Sequence, residues 1–141
     1  MSAFVAMVPL RWTDQDAYRH VNHARIVTLM EEARVALAFT GAGQEGLTGF
    51  ASGLLVAGLH VEYRRQLSWR PEPLRVEVTV RDLRAASFTL DYRLRDGAGA
   101  EDPVAVTAWT RMALYDLGAQ RVRRLTEGER DYLKRHLEEV S

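Results

Sequence analysis

Residues Asn22 to Gly41 read NHARIVTLMEEARVALAFTG, and their spacing decides the fold class. Ile26, Met30, Ala33 and Leu37 recur at helical intervals, flanked by Leu29 and Ala36, while Arg25, Glu31, Glu32 and Arg34 fall off that face. The pattern is that of an amphipathic helix whose apolar stripe needs a cover. Asn22 suits the N-cap, although Arg25 three residues on denies it a capping box. Gly41 is the expected stop.

On both sides of this helix the period changes to two. Phe4, Ala6, Val8, Leu10 and Trp12 alternate, which predicts a first strand ending near Trp12. Downstream, Leu55 to Tyr63, Val76 to Val80, Phe88 to Leu94 and Val104 to Ala108 alternate in turn and give four more strands. The breaks at Trp69 to Pro73, Leu83 to Ala86 and Asp96 to Asp102 are short, as between antiparallel neighbours, so a meander is expected. A mostly polar helix over Glu127 to Glu139 closes the chain. The expected class is α+β: a five-stranded antiparallel sheet wrapped around one long helix, plus a C-terminal helix.

Length and charge narrow the functions. At 141 residues and 47% hydrophobic content, residues 1–141 suit a single domain with a real core. The net charge is zero and all basic residues but Lys134 are arginines scattered among acids, which gives no sign of a nucleic-acid or membrane partner. There is no cysteine, so disulfides, thiol nucleophiles and thiolate metal sites are excluded. The opening MSAFVAMVPL lacks a basic n-region and a cleavage pattern, and no stretch reaches bilayer-spanning length, so a cytoplasmic location is expected.

Several strings carry chemistry only in the right context. GAGQEG, Gly41 to Gly46, matches G-x-G-x-x-G but follows a helix and leads to a strand, the reverse of a dinucleotide loop. A C-cap and a loose connection explain it. Asp14, Asp16, His20 and His23 are all metal-competent, yet their spacing fits no compact ligand set, and no metal is expected. Ser52, Ser68 and Ser87 lack the G-x-S-x-G turn. That leaves Asp14 and Asp16. Either they bond loop amides, or a carboxylate just ahead of a helix works beside the free amides and positive dipole end that stabilise an oxyanion.

The span VPLRWTDQDAYRHVNHARIVTLMEEARVALAF, Val8 to Phe39, resembles the opening of the 4-hydroxybenzoyl-CoA thioesterase-like branch of hotdog-fold acyl-CoA thioesterases. The likeness rests on D-x-D after the first strand, an HVN turn, and a helix carrying Glu31 to Arg34 as EEAR. It implies the hotdog fold and hydrolysis of a CoA thioester to free acid and CoA. Asp16, the second Asp of D-x-D, becomes the catalytic carboxylate, as nucleophile or as general base for water. The backbone amide of His23 becomes the donor that polarises the carbonyl. Asp14 supports the site, Asn22 caps the helix, and Tyr18 and His20 line the substrate's walls. Arg84 is what remains of a basic run that holds CoA phosphates, Ala85 and Ala86 standing where relatives carry cations. Arg64, Arg65, Arg70, Arg81 or a partner subunit can replace it. Arg19 stands where relatives have Gly, a departure that matters if the loop needs positive φ.

The resemblance further implies no cofactor, and a homodimer or dimer of dimers with sites at the seam. The alternative function is a non-catalytic acyl-CoA-binding or scaffold hotdog protein.

Overall fold

The structure is a computed structural model and describes residues 2–138. Its elements are β1 (Phe4–Val8), α1 (His23–Val35), β2 (Leu54–Tyr63), β3 (Leu74–Arg81), β4 (Ser87–Arg95), β5 (Val104–Asp116), β6 (Arg121–Val122) and a C-terminal helix (Glu127–Lys134). Every strand pairing is antiparallel, in the order β1-β3-β4-β5-β2, with β6 added to β5. The sheet curls over α1.

Alternation sets the two faces. Leu74, Val76, Val78 and Val80 of β3, Leu90 and Leu94 of β4, and Met112 and Leu114 of β5 are buried on the inner face. Ile26, Leu29, Met30, Ala33 and Leu37 meet them in one cluster, so the helix stripe finds the expected cover. Met30 has no exposed surface, and cutting it to Ala costs about 2–5 kcal/mol.

Four expectations are corrected. First, β1 ends at Val8, because Pro9 has no N–H for a ladder; Leu10 stays buried, but Trp12 lies in a 3-10 turn. Second, β2 is no neighbour of β3: it crosses to β5, leaving β3 between β1 and β4, so only β3-β4-β5 form a meander. Third, Gly41 does not end the helix. Its φ is −64°, the helix widens to a π form over Ala36–Gly41, runs on through Gln44, and turns at Gly46 with φ +78°. The GAGQEG string is therefore half helical. Gly41 is needed for another reason, since a β-carbon there would sit 2.6 Å from the Tyr132 hydroxyl. Fourth, the closing helix stops at Lys134, short of Glu139, which lies outside the described residues.

One edge of the sheet stands open. On β2, Val56, Leu59 and Tyr63 point to the α1 side yet remain 42–52% exposed, because the helix stops short of covering them. Among the described residues no helix is long and apolar enough to cross a membrane.

Candidate active site

The site begins where β1 gives out. Arg11 donates its backbone N–H to Asp14 Oδ2 (2.8 Å) and its Nε and Nη2 to Oδ1 (3.2 and 3.0 Å), so the carboxylate closes the 3-10 turn on itself. The Asn22 N–H donates to the Asp14 carbonyl at 2.9 Å, tying the turn to the start of α1. Asp14 is only 2% exposed. It is the buried clasp of the loop, and its carboxylate is fully engaged.

Between these anchors the chain makes a tight hairpin. Gln15 and Val21 bridge, Asp16 N–H donates to His20 O (2.9 Å), and Arg19 N–H donates to Asp16 O (3.0 Å). Arg19 adopts φ +62°, so the loop keeps the path a glycine would take and holds an arginine in a left-handed conformation to do it. Asp16 is half-buried; its Oδ1 accepts the Tyr18 N–H at 2.9 Å and, more weakly, that of His20 at 3.4 Å. Oδ2 accepts no hydrogen bond among the described residues. The loop-bonding role and a free carboxylate oxygen thus coexist in one side chain.

The helix start faces this loop. Asn22 Oδ1 accepts the Ala24 N–H at 2.9 Å, as an N-cap should. The His23 N–H, first of the helix, donates to nothing among the described residues. The His23 carbonyl accepts from the Tyr63 hydroxyl at 3.3 Å, which ties the end of β2 to the start of α1. Burial pushes the Tyr63 phenol above its ordinary value, so it stays a donor.

Asp16, His23, Tyr63, Arg64 and Arg65 line one cavity of about 490 Å³, with Ile26, Leu67 and Val106 as its apolar wall. An acid with a spare lone pair, a free amide at a helix N-terminus and an apolar wall suffice to attack a carbonyl and hold the resulting oxyanion. Among the described residues no set of three His, Cys, Asp or Glu groups converges to hold a metal.

Other expected residues fall elsewhere. Tyr18 is 81% exposed and neither it nor His20 lines the cavity; what each gives is a backbone N–H to Asp16. Arg84 lines a separate cavity of about 310 Å³ with Arg81, Trp109 and Arg111. That cavity meets the outer face of β5 at Trp109 and Arg111, three and five residues from Val106 on the inner face, or about 10–17 Å along the strand. Within one subunit Arg84 and Asp16 are not brought together. Tyr63 was missed by sequence reasoning, because as one aromatic in an alternating strand nothing marked its hydroxyl.

Comparison with known proteins gives the family and the fold. The model of the thioesterase-like superfamily matches residues 10–132. A candidate thioesterase from Pseudomonas aeruginosa superposes with a TM-score of 0.76 at 25% identity, covering 93% of this chain and 98% of that one. A Thermus thermophilus thioesterase solved with coenzyme A and zinc gives 0.72 at 21% identity, covering 93% and 92%. A Staphylococcus aureus protein solved with CoA gives 0.76 at 14% identity, covering 99% and 88%. No curated protein matches the sequence. With its helix-wrapping sheet and D-x-D loop, the chain belongs to the thioesterase-like superfamily, as a hotdog-fold thioester hydrolase.

Proposed function

We propose that the substrate is an acyl-CoA, hydrolysed in the Asp16 cavity to free acid and CoA. The observation that carries this reading is that Asp16, with one uncommitted carboxylate oxygen, and His23, with one uncommitted backbone N–H, line the same cavity. The CoA bound to the Thermus and Staphylococcus structures supports the choice of thioester.

The His23 amide and the dipole of α1 polarise the thioester oxygen and take up the charge of the tetrahedral intermediate. Asp16 Oδ2 either removes a proton from the attacking water or attacks the carbonyl itself, giving an acyl anhydride that water then cleaves. In both routes the C–S bond breaks and the CoA thiolate leaves. Asn22 holds the helix end, Asp14 the loop, and the Tyr63 hydroxyl braces the peptide following the His23 amide. Arg84 has no part in this reading within one subunit.

The functional unit is a homodimer built on β2, because an open strand edge carrying Val56, Leu59 and Tyr63 is a surface a second copy can cover. We place it in the cytoplasm and take residues 1–141 as one domain.

Release of free thiol from a panel of short, long and aromatic acyl-CoAs tests the substrate. Turnover of at least one is expected. Inactivity across the whole panel, with acyl-CoA still bound, would leave an acyl-CoA-binding protein instead.

A further inference from the structure

With the His23 N–H alone, the oxyanion of the tetrahedral intermediate has one donor for its charge. A second donor aimed at the same point lowers the barrier further. The end of β2 holds a group placed for that task.

Tyr63 closes β2 and lines the Asp16 cavity together with His23. It pairs with Val106 of the cavity wall, and the two residues after it, Arg64 and Arg65, both donate their N–H to Ala105 O, at 2.8 and 3.1 Å. The strand end is therefore clamped, and the phenol is delivered from fixed backbone.

The bond it makes in the empty site is one it can give up. The hydroxyl donates to His23 O at 3.3 Å, long for an O–H···O bond, which usually runs to about 2.7–2.8 Å. As the first residue of α1, His23 has a helical partner for that carbonyl in the Val27 N–H, so turning the phenol away orphans nothing. The Tyr63 side chain is half exposed, and no other group bonds its hydroxyl among the described residues.

The target lies within reach. The His23 carbonyl and N–H belong to one residue, so the phenol oxygen is within about 7 Å of the free amide nitrogen. One oxygen accepting from both donors spans about 6 Å, which a small rotation of the ring covers. The titratable and charged groups sharing the cavity with the phenol are Asp16, His23, Arg64 and Arg65. Burial holds the phenol above its ordinary value, so it stays protonated at neutral pH.

The other side chains of the cavity are placed less well. Arg64 reaches Thr107 Oγ1 on the outer face of β5, and Arg65 leans on Asp96 at 3.6 Å. Gln66 also lines the cavity, but no bond ties it to the start of α1 among the described residues.

We infer that Tyr63 is a further catalytic residue: with the ester bound, its hydroxyl turns from His23 O to the thioester oxygen and shares the oxyanion with the His23 N–H. Only hydrogen bonds are exchanged, and the phenol keeps its proton throughout. The inference rests on the acyl-CoA reading and adds a second donor to it.

Carbonyl-labelled octanoyl-CoA and benzoyl-CoA test the contact without turnover. Bound to the Asp16→Asn protein, their ¹³C=O infrared band should fall below that of the free esters, and adding Tyr63→Phe should return part of that fall. A band that ignores Tyr63 overturns the inference, and failure of both esters to bind ends it together with the acyl-CoA reading. Steady-state kinetics test the consequence: Tyr63→Phe should lower kcat at least about tenfold with KM nearly kept, while Gln66→Ala should not. A fluorinated tyrosine at position 63 ionises at lower pH, and a phenolate cannot donate, so kcat should be lost as pH rises through a range where the parent is steady. A parental pH profile overturns the inference. So does a Tyr63→Phe protein with a lower melting temperature, a raised KM and an unmoved band, which would make the hydroxyl a brace of the helix start only. If the parent hydrolyses an ester and Tyr63→Phe is as fast, the hydrolytic reading stands and the inference falls. If the band depends on Tyr63 but nothing is hydrolysed, the hydrolytic reading fails and the contact stands.

Discussion

The Tyr132 hydroxyl donates to the carbonyl of Leu37 at 2.5 Å, fastening the C-terminal helix to the π-wound end of α1. Leu37 O also accepts the Ala42 N–H across the wider turn, so it has two partners. Tyr132→Phe removes one of them at a buried site and should lower stability by about 1 kcal/mol, with turnover kept. Urea titration checks it; an unchanged midpoint would mean the contact contributes nothing.

Asp16 and Asp14 should behave as opposites. Asp16→Asn keeps the Tyr18 contact and removes the charge, so kcat should fall about 100-fold or more with the melt nearly unchanged. Asp14→Asn weakens the bonds a buried carboxylate accepts from Arg11, whose own side chain is exposed, and should cost about 1–3 kcal/mol, with activity falling only as far as the loop loosens. Melts and turnover on both variants decide, and near-parental kcat in Asp16→Asn would end the proposed mechanism. Label found in Asp16 after a single turnover in ¹⁸O-water would identify the nucleophilic route, with water attacking the Asp16 carboxyl carbon of the anhydride.

Arg19 holds φ +62° without the freedom of glycine. Arg19→Gly relieves that conformation but frees the unfolded chain, so the net gain should be about 0.5–1 kcal/mol. A thermal melt at or below the parent's would show the arginine to be held by contacts worth more than the strain.

Glu129 is 2% exposed, and burial alone would raise its pKa; the two-oxygen pair with Arg123 and the Thr126 N–H outweigh that and hold it below the ordinary 4.5. A depressed folded pKa contributes stability above 4.5 that is lost as pH falls through the folded value. The melting temperature should therefore drop on acidification below about pH 4.5, and Glu129→Gln should flatten that drop while costing about 2 kcal/mol at neutral pH. Parallel acid profiles for parent and variant would remove Glu129 from the account.

Leu59→Lys puts a charge on the open strand. If β2 is the seam, light scattering should show the parent at twice 16.0 kDa and the variant at 16.0 kDa. A monomeric parent at micromolar concentration ends the dimer proposal.

Residues with a strong periodic signal were legible in the sequence. The α1 stripe and the inward valines of β3 name their own partners, because one face of each must be dry. The place of β2 was not. Its residues alternate as well as those of β3, but pairing with β5 is settled by the path over α1, which local spacing does not encode. The π turn was equally hidden, since Gly41 signals a stop and what demands it is a tyrosine 91 positions away. In the loop, D-x-D singled out Asp14 and Asp16. Which one is free follows from the Arg11 contacts, and those exist only once the 3-10 turn has formed. The capping box of Thr126 and Glu129 stood in the sequence as T-x-x-E and went unread.

The strand order also says when the site can exist during folding. β3, β4 and β5 join neighbours in sequence and can zip up locally, whereas Leu54 must find Leu114 and Phe4 must find Val78 across about half of the chain. The Asp16 loop hangs between these two late partners, from the end of β1 and the Leu67 carbonyl beyond β2. A chain caught before β1 and β2 dock therefore has a finished meander and no Asp16 loop, which makes the assembly of the proposed site one of the last events in folding.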